Sequence, residues 1–180
     1  SSFTSGPPTF DATHAAHGSL AMKTTWSFAN WTSAVVGSRS QVWFRAYYYV
    51  AALPGSSTNI LVARTGSGSF AAAVSLNTSG TLSMTGSLTT TNTVSAGAWF
   101  RIEGFVTGSA SAGQCELKLF LSMDSTTATE TKTSGTSVNT AGLIDELDYG
   151  VGSLASGVWA DDIAFSTSGT PALTSVAFTA

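Results

Sequence analysis

Apolar residues in this chain recur mostly at every second position, in short runs separated by clusters of Gly, Ser, Thr and Asn. Period two is the spacing of a strand with one buried face. On that basis strands are predicted over 19–26, 41–50, 59–64, 70–76, 81–85, 98–107, 115–121, 129–133, 143–151, 158–166 and 172–178. No stretch sustains apolar residues at i, i+3, i+4 and i+7, so helix is not expected. Many short strands without intervening helices predict an all-β fold, a two-sheet antiparallel jelly-roll β-sandwich. Asn77-Thr78-Ser79-Gly80 reads as a hairpin loop with Gly80 at positive φ, and Gly66-Ser67-Gly68-Ser69 as a second hairpin loop. The sandwich is placed at 10–168. Residues 1–9 form an N-terminal arm and 169–180 a C-terminal strand or arm, because Pro7-Pro8 and Pro171 interrupt ladder pairing.

Two strands divide into usable faces. In 41–50, Val42, Phe44, Ala46, Tyr48 and Val50 oppose Trp43, Arg45, Tyr47 and Tyr49. In 99–106, Phe100, Ile102 and Val106 suit a core, while Trp99, Arg101, Glu103 and Phe105 face the other way. Aromatic rings beside Arg are what sugar recognition needs: rings pack on pyranose C–H faces, and Arg supplies paired donors for hydroxyls or carboxylates. Trp43, Arg45, Tyr47, Tyr49, Trp99 and Arg101 are therefore candidate glycan or partner contacts. The same face could equally pack on a neighbouring chain or an arm. Cys115, in phase with Leu117, Leu119 and Leu121, is expected to be a buried thiol, and as the single cysteine it excludes an internal disulfide.

Composition narrows the class. The 180 residues suit one domain, and only 9% are charged against 43% apolar, with a net charge of −3. Seven scattered basic residues make no stripe for phosphates, so nucleic acid is not an expected partner. No apolar run is long enough for a membrane span. The chain starts at Ser rather than Met and shows no signal segment, so it is expected to be processed or part of something longer.

Candidate chemistry is sparse. Glu146 and Asp148, in Ile144-Asp145-Glu146-Leu147-Asp148-Tyr149-Gly150, occupy two places of the alternating Glu-x-Asp-x-Glu of sandwich-fold glucanases, but Gly150 stands at the third. A retaining glycosidase needs both its carboxyl groups, so catalysis is not expected and a solvated strand face is. His14 and His17 lack a nearby third zinc ligand and read as solvated or capping residues. No nucleophile elbow, phosphate loop or dinucleotide fingerprint occurs. In Trp159-Ala160-Asp161-Asp162-Ile163-Ala164-Phe165, strand alternation puts Asp161 on a face with Trp159, Ile163 and Phe165, and leaves Asp162 free to reach solvent or the other face. A carboxylate among apolar groups needs compensation. Asp161, Asp162 and Asp11 are candidate ligands for a structural calcium; the alternative is that Asp161 accepts backbone N–H bonds or pairs with an Arg.

The order of landmarks carries a resemblance. Phe10-Asp11 and His17-Gly18-Ser19-Leu20 are followed by Trp99-Phe100-Arg101-Ile102-Glu103, Leu117 to Ser122 with Asp124 to Thr127, Ile144 to Gly150, and Trp159 to Ser166. Across 10–168 this resembles concanavalin A-like lectin/glucanase (laminin G-like) jelly-roll domains, of the kind found in actinobacterial phage virion proteins and secreted proteins. The resemblance implies two curved sheets whose concave face or rim loops bind glycans, and a calcium on the Asp-Asp strand. It places the chain on a virion or outside the cell, as a non-catalytic structural or adhesion module such as a capsid decoration or tail protein. Its partners would be a glycan, other virion or surface proteins, or further copies of itself. A secreted glucanase or lyase of this fold, and a carbohydrate-binding module of a larger enzyme, remain the alternatives.

Overall fold

The computed structural model describes residues 9–26, 30–151 and 154–171. The strand expected over 172–178 and most of both terminal arms lie outside these residues. In chain order the strands are β1 (Thr9–Asp11), β2 (Ala21–Trp26), β3 (Asn30–Arg39), β4 (Gln41–Val50), β5 (Thr58–Thr65), β6 (Phe70–Leu76) and β7 (Leu82–Met84). They continue with β8 (Leu88–Thr89), β9 (Trp99–Thr107), β10 (Gln114–Phe120), β11 (Glu130–Thr133), β12 (Ile144–Val151) and β13 (Leu154–Ser166). A seven-stranded sheet runs β1-β2-β13-β4-β9-β10-β11, and a six-stranded sheet runs β3-β12-β5-β6-β7-β8. Every pairing is antiparallel.

The two faces read from the sequence are the two faces observed. Val42, Phe44, Ala46, Tyr48 and Val50 meet Phe100, Ile102, Val106, Cys115, Leu117 and Leu119 in the core, against Ile60, Leu61, Val74, Leu76, Leu147 and Tyr149 of the other sheet. Burial pushes the Cys115 thiol up to about 11, so it is an inert apolar side chain. Leu121 lies past the end of β10 and is exposed, which ends that phase one residue pair earlier than expected. Two buried phenols tie the layers together reciprocally: Tyr48 donates to Ile60 O at 2.7 Å and Tyr149 to Ala164 O at 3.3 Å. Gly104 occurs where the core phase of β9 leaves no room, since an added Cβ would stand 1.9 Å from Glu116 O and 2.8 Å from the Phe44 ring. The hairpin at 77–80 is as expected, with Gly80 at φ 85° and its N–H on Asn77 O.

Three strands were not legible. β1 and β8 are too short to show a period. β3 lies on an edge of its sheet, so one flank carries no pairing demand, and Val36 is buried while its neighbour Val35 is exposed.

A further correction concerns β13. Asp161 pairs with Tyr47 and Ala164 with Arg45, so Asp162 and Ile163 together oppose the single residue Ala46. This bulge, with Asp162 at φ 43°, breaks the alternation. Ile163 consequently packs against the core rather than beside Asp161, and Phe165 stands opposite Phe44 instead of on the face of Trp159.

Candidate functional site

The face of the seven-stranded sheet turned away from the core is built in rows by strand register. One row is Lys23, Trp159, Tyr49 and Trp99; the next passes through Asp161, Tyr47 and Arg101. A third joins Arg45, Glu103 and Lys118, and a fourth Trp43, Phe105 and Glu116. All six candidate contact residues therefore do share one face. They do not share one exposure.

The middle of the face is roofed by the chain itself. Arg101, 1% exposed, stacks on Phe120 at 3.8 Å, donates to Tyr47 Oη at 3.3 Å, and reaches the carbonyls of Met123 and Ser125. It also faces Glu103 across 3.0 Å as an ion pair. Its guanidinium is thereby spent on holding the 121–129 loop. Arg45 is equally buried and donates to Pro171 O at 3.4 Å. Tyr47 lies beneath His17, whose ring meets it edge-on at 5.1 Å.

The 12–20 loop is seated by the acid pair. Asp161 Oδ2 accepts from the N–H groups of Ala16 at 2.9 Å and His17 at 3.1 Å, and Oδ1 accepts from Asp162 N at 2.8 Å. His17 bridges two carboxylates, with Nδ1 2.5 Å from Asp162 Oδ2 and Nε2 3.0 Å from Asp124 Oδ1 in the other loop. Burial of its carboxylate, outweighing those three backbone bonds and reinforced by the charge of Asp162, lifts Asp161 above the usual carboxylate range. Asp162 is 2% exposed, so of the two places its strand position allowed, solvent or the other face, it does not take solvent. The bulge is what allows two consecutive residues to serve one loop. The histidines are half-buried rather than fully solvated: His14 lies 4.1 Å from the Tyr49 ring and 4.4 Å from Trp159.

The residues considered for calcium do not fit it. The Asp161 oxygens are aimed at N–H donors, which a cation would have to displace. Asp11 is taken by Lys23 at 2.8 Å and by the Thr13 N–H and hydroxyl, which hold its carboxyl well below the usual range. Only Asp162 Oδ1 is left without a hydrogen-bond partner. Among the described residues no group of three or more His, Cys, Asp or Glu side chains could hold a metal ion.

The glucanase-like acids sit on the other sheet. Glu146 and Asp148 lie on β12, in alternation with the core residues Leu147 and Tyr149, and so face away from the aromatic rows. Asp148 is 3% exposed and ion-paired with Arg64, which also stacks on Phe70 at 4.6 Å. The solvated strand face expected for it is thus a closed ion pair.

No protein-family model and no curated protein matches the sequence. Solved structures do. Trypanosoma rangeli sialidase in complex with 2,3-difluoro-KDN aligns with 82% of this chain at 10% identity and a TM-score of 0.52, and the chain covers 25% of that protein. The chain is a two-sheet β-sandwich. A second sialidase is spanned to only 15% of its length, so the sandwich corresponds to a quarter or less of either enzyme. "Family 16 Carbohydrate Binding Module-2" aligns over 89% of this chain and 85% of its own, at 12% identity and a TM-score of 0.41. The CBM2 module of Lactobacillus casei BL23 phage J-1 evolved Dit aligns over 81% and 75%, at 12% identity and 0.43. At these identities the likeness is one of fold.

Beyond the roofed centre, two ends of the face remain partly open. At one, Tyr49 and Trp99 rings lie 5.7 Å apart; at the other, Trp43 and Phe105 lie 6.3 Å apart. Phe105, Glu116 and Lys118 were absent from the sequence-derived contact set. The alternation of Phe105 with Val106, and of Glu116 and Lys118 with Cys115, Leu117 and Leu119, was visible, but only the β4–β9 and β9–β10 registers bring Phe105 beside Trp43 and Glu116 beside Phe105.

Proposed function

We propose that this sandwich is a non-catalytic glycan-binding module of a virion or cell-exterior protein, and that it binds sugar at the Trp43–Phe105 end of the seven-stranded sheet. The observation that carries this is the half-buried Trp43–Phe105 pair, with centroids 6.3 Å apart, bordered by the Glu116 carboxylate and the Thr133 hydroxyl. Such a pair offers a ring platform for a pyranose C–H face, and fixed polar groups at its rim orient hydroxyls. Of the six residues first considered, Trp43 belongs to this platform, while Tyr49 and Trp99 lie at the opposite end of the face. Arg45, Tyr47 and Arg101 are positioning residues that hold the strands and covering loops. A module without its own catalysis is supported by Glu146 and Asp148 lying on the opposite sheet, with Asp148 closed by Arg64. An exterior setting is supported by the charge-poor, Ser/Thr-rich composition.

The test is affinity electrophoresis and calorimetry against a panel of soluble polysaccharides, with Trp43→Ala beside the unaltered chain. Binding that Trp43→Ala lowers at least about fivefold is expected, since losing an aromatic contact of this kind costs on the order of 1 kcal/mol or more. Equal retention of the variant on every ligand excludes this platform. Release of sugar ends that Glu146→Gln abolishes would establish a hydrolase instead.

A further inference from the structure

We infer that the Trp43–Phe105 platform selects uncharged glycans and discriminates against uronic, sialic and sulfated ones. The inference rests on the binding reading above and adds the ligand's chemical class. A carboxylate or sulfate on a sugar needs an exposed cation whose charge is not already spent, because an anion leaving water must recover its hydration from such a group.

The platform offers none. Lys118 lies diagonal to Phe105 across the β9–β10 register, and its Nζ lies 3.1 Å from Glu116 Oε1. Arg101 is buried against Glu103 and two loop carbonyls. Arg45 is 1% exposed beneath the Pro171 carbonyl. The other two lysines are closed in the same way, Lys23 by Asp11 at 2.8 Å and Lys132 by Glu130 at 2.9 Å, while Arg39, exposed at the end of β3 on the other sheet, donates to Val36 O at 3.0 Å. What the platform does present is two half-buried rings, the Glu116 carboxylate and hydroxyl groups. Glu116 stands directly opposite Phe105, so a sugar stacked on that ring meets the closed Glu116–Lys118 pair, which offers an anion no unspent positive charge. Carboxylate acceptors and aromatic rings suit the hydroxyls and C–H faces of neutral hexoses. Glu116 is thus assigned as the specificity-determining residue, acting by keeping Lys118 neutralised.

The experiment pairs oligogalactose with oligogalacturonate, and oligomannose with oligomannuronate, titrated into the whole chain. Neutral members are expected to bind at least about tenfold more tightly, because an anion stacked there loses hydration that no unspent cation returns. Glu116→Lys, which removes the acid that closes Lys118 and adds a cation, is expected to raise the acidic-to-neutral affinity ratio about tenfold, equivalent to ~1.4 kcal/mol. Tighter binding of the acidic members by the unaltered chain overturns the inference while leaving the glycan-binding reading intact. An unchanged ratio in Glu116→Lys overturns the role of Glu116. Silence toward all four ligands, and toward the wider panel, overturns the binding reading and this inference with it.

Discussion

Replacing Asp161 by Ala tests whether the acid pair is what holds the 12–20 loop on the sheet. The substitution strips acceptors from three N–H groups, those of Ala16, His17 and Asp162. Hydrogen bonds to a charged partner contribute about 1.5–3 kcal/mol each. The full sum does not apply, because the amides of Ala16 and His17 are only part-buried and water can reach them once the carboxylate is gone, and because a desolvated charge is removed at the same time. The buried Asp162 N–H has no such relief. A loss of about 2–4 kcal/mol follows, which for a chain of this size lowers Tm by roughly 5–15 °C. Asp161→Asn keeps an oxygen for Ala16 and His17 but turns an NH2 toward the Asp162 N–H, so about 1–2 kcal/mol is expected. The pH dependence separates the charge from the hydrogen bonds. Asp161 titrates above its ordinary range in the folded chain, so the native state holds that proton more tightly than the unfolded state. Its favourable contribution is complete below the ordinary aspartate value of about 4 and is lost as pH rises through the folded value. Asn does not titrate. The stability gap between the unaltered chain and Asp161→Asn should therefore narrow from acid to neutral pH in urea unfolding followed by circular dichroism. A gap that widens with pH, or an Asp161→Ala chain that melts with the unaltered one, refutes the reasoning.

Two further outcomes follow from the packing and from the site. Gly104→Ala drives a Cβ to 1.9 Å from Glu116 O, a backbone atom that cannot swing aside, so β9 and β10 must separate; a loss of about 3 kcal/mol or more is expected in chemical unfolding, and a variant as stable as its parent would show that the strands part freely. Excess EDTA is expected to leave the melting temperature unchanged, because the Asp161 and Asp11 oxygens already have protein donors; a fall in melting temperature that calcium restores would return Asp161 and Asp162 to a metal site.

How much was legible in the sequence follows from what each residue depends on. β4 and β9 were readable to the face, because their alternation is strict and both faces have decided environments: Phe44 and Ile102 in the core, Trp43 and Phe105 outside it. β13 failed at Asp162, since a bulge is a property of pairing with β4 and leaves no mark in the periodicity of one strand. Asp148 failed for a related reason: its burial comes from Arg64 on a neighbouring strand, and no count along β12 reveals that partner. The histidines could not be read from spacing at all. Their partners Asp162, Asp124, Tyr49 and Trp159 are distant in sequence and come together only through the sheet order.

The consequence for function is that the loops, not the strands, decide where a ligand can go. Period two placed Trp43, Arg45, Tyr47 and Tyr49 in one line, and an open line of that kind would read as a continuous groove. His17 breaks it. By bridging Asp162 on β13 to Asp124 in the 121–129 loop, with Tyr47 under its ring, it joins the two loops over the centre of the face. Arg101 then holds the second loop from below through the Met123 and Ser125 carbonyls. The bulge that spoiled the reading of the acid pair is thus the feature that makes the roof, since an unbroken strand would have sent Asp162 into the core beside Ala160. What remains partly open are the two aromatic pairs at either end of the face, Tyr49–Trp99 and Trp43–Phe105, separated by that roof.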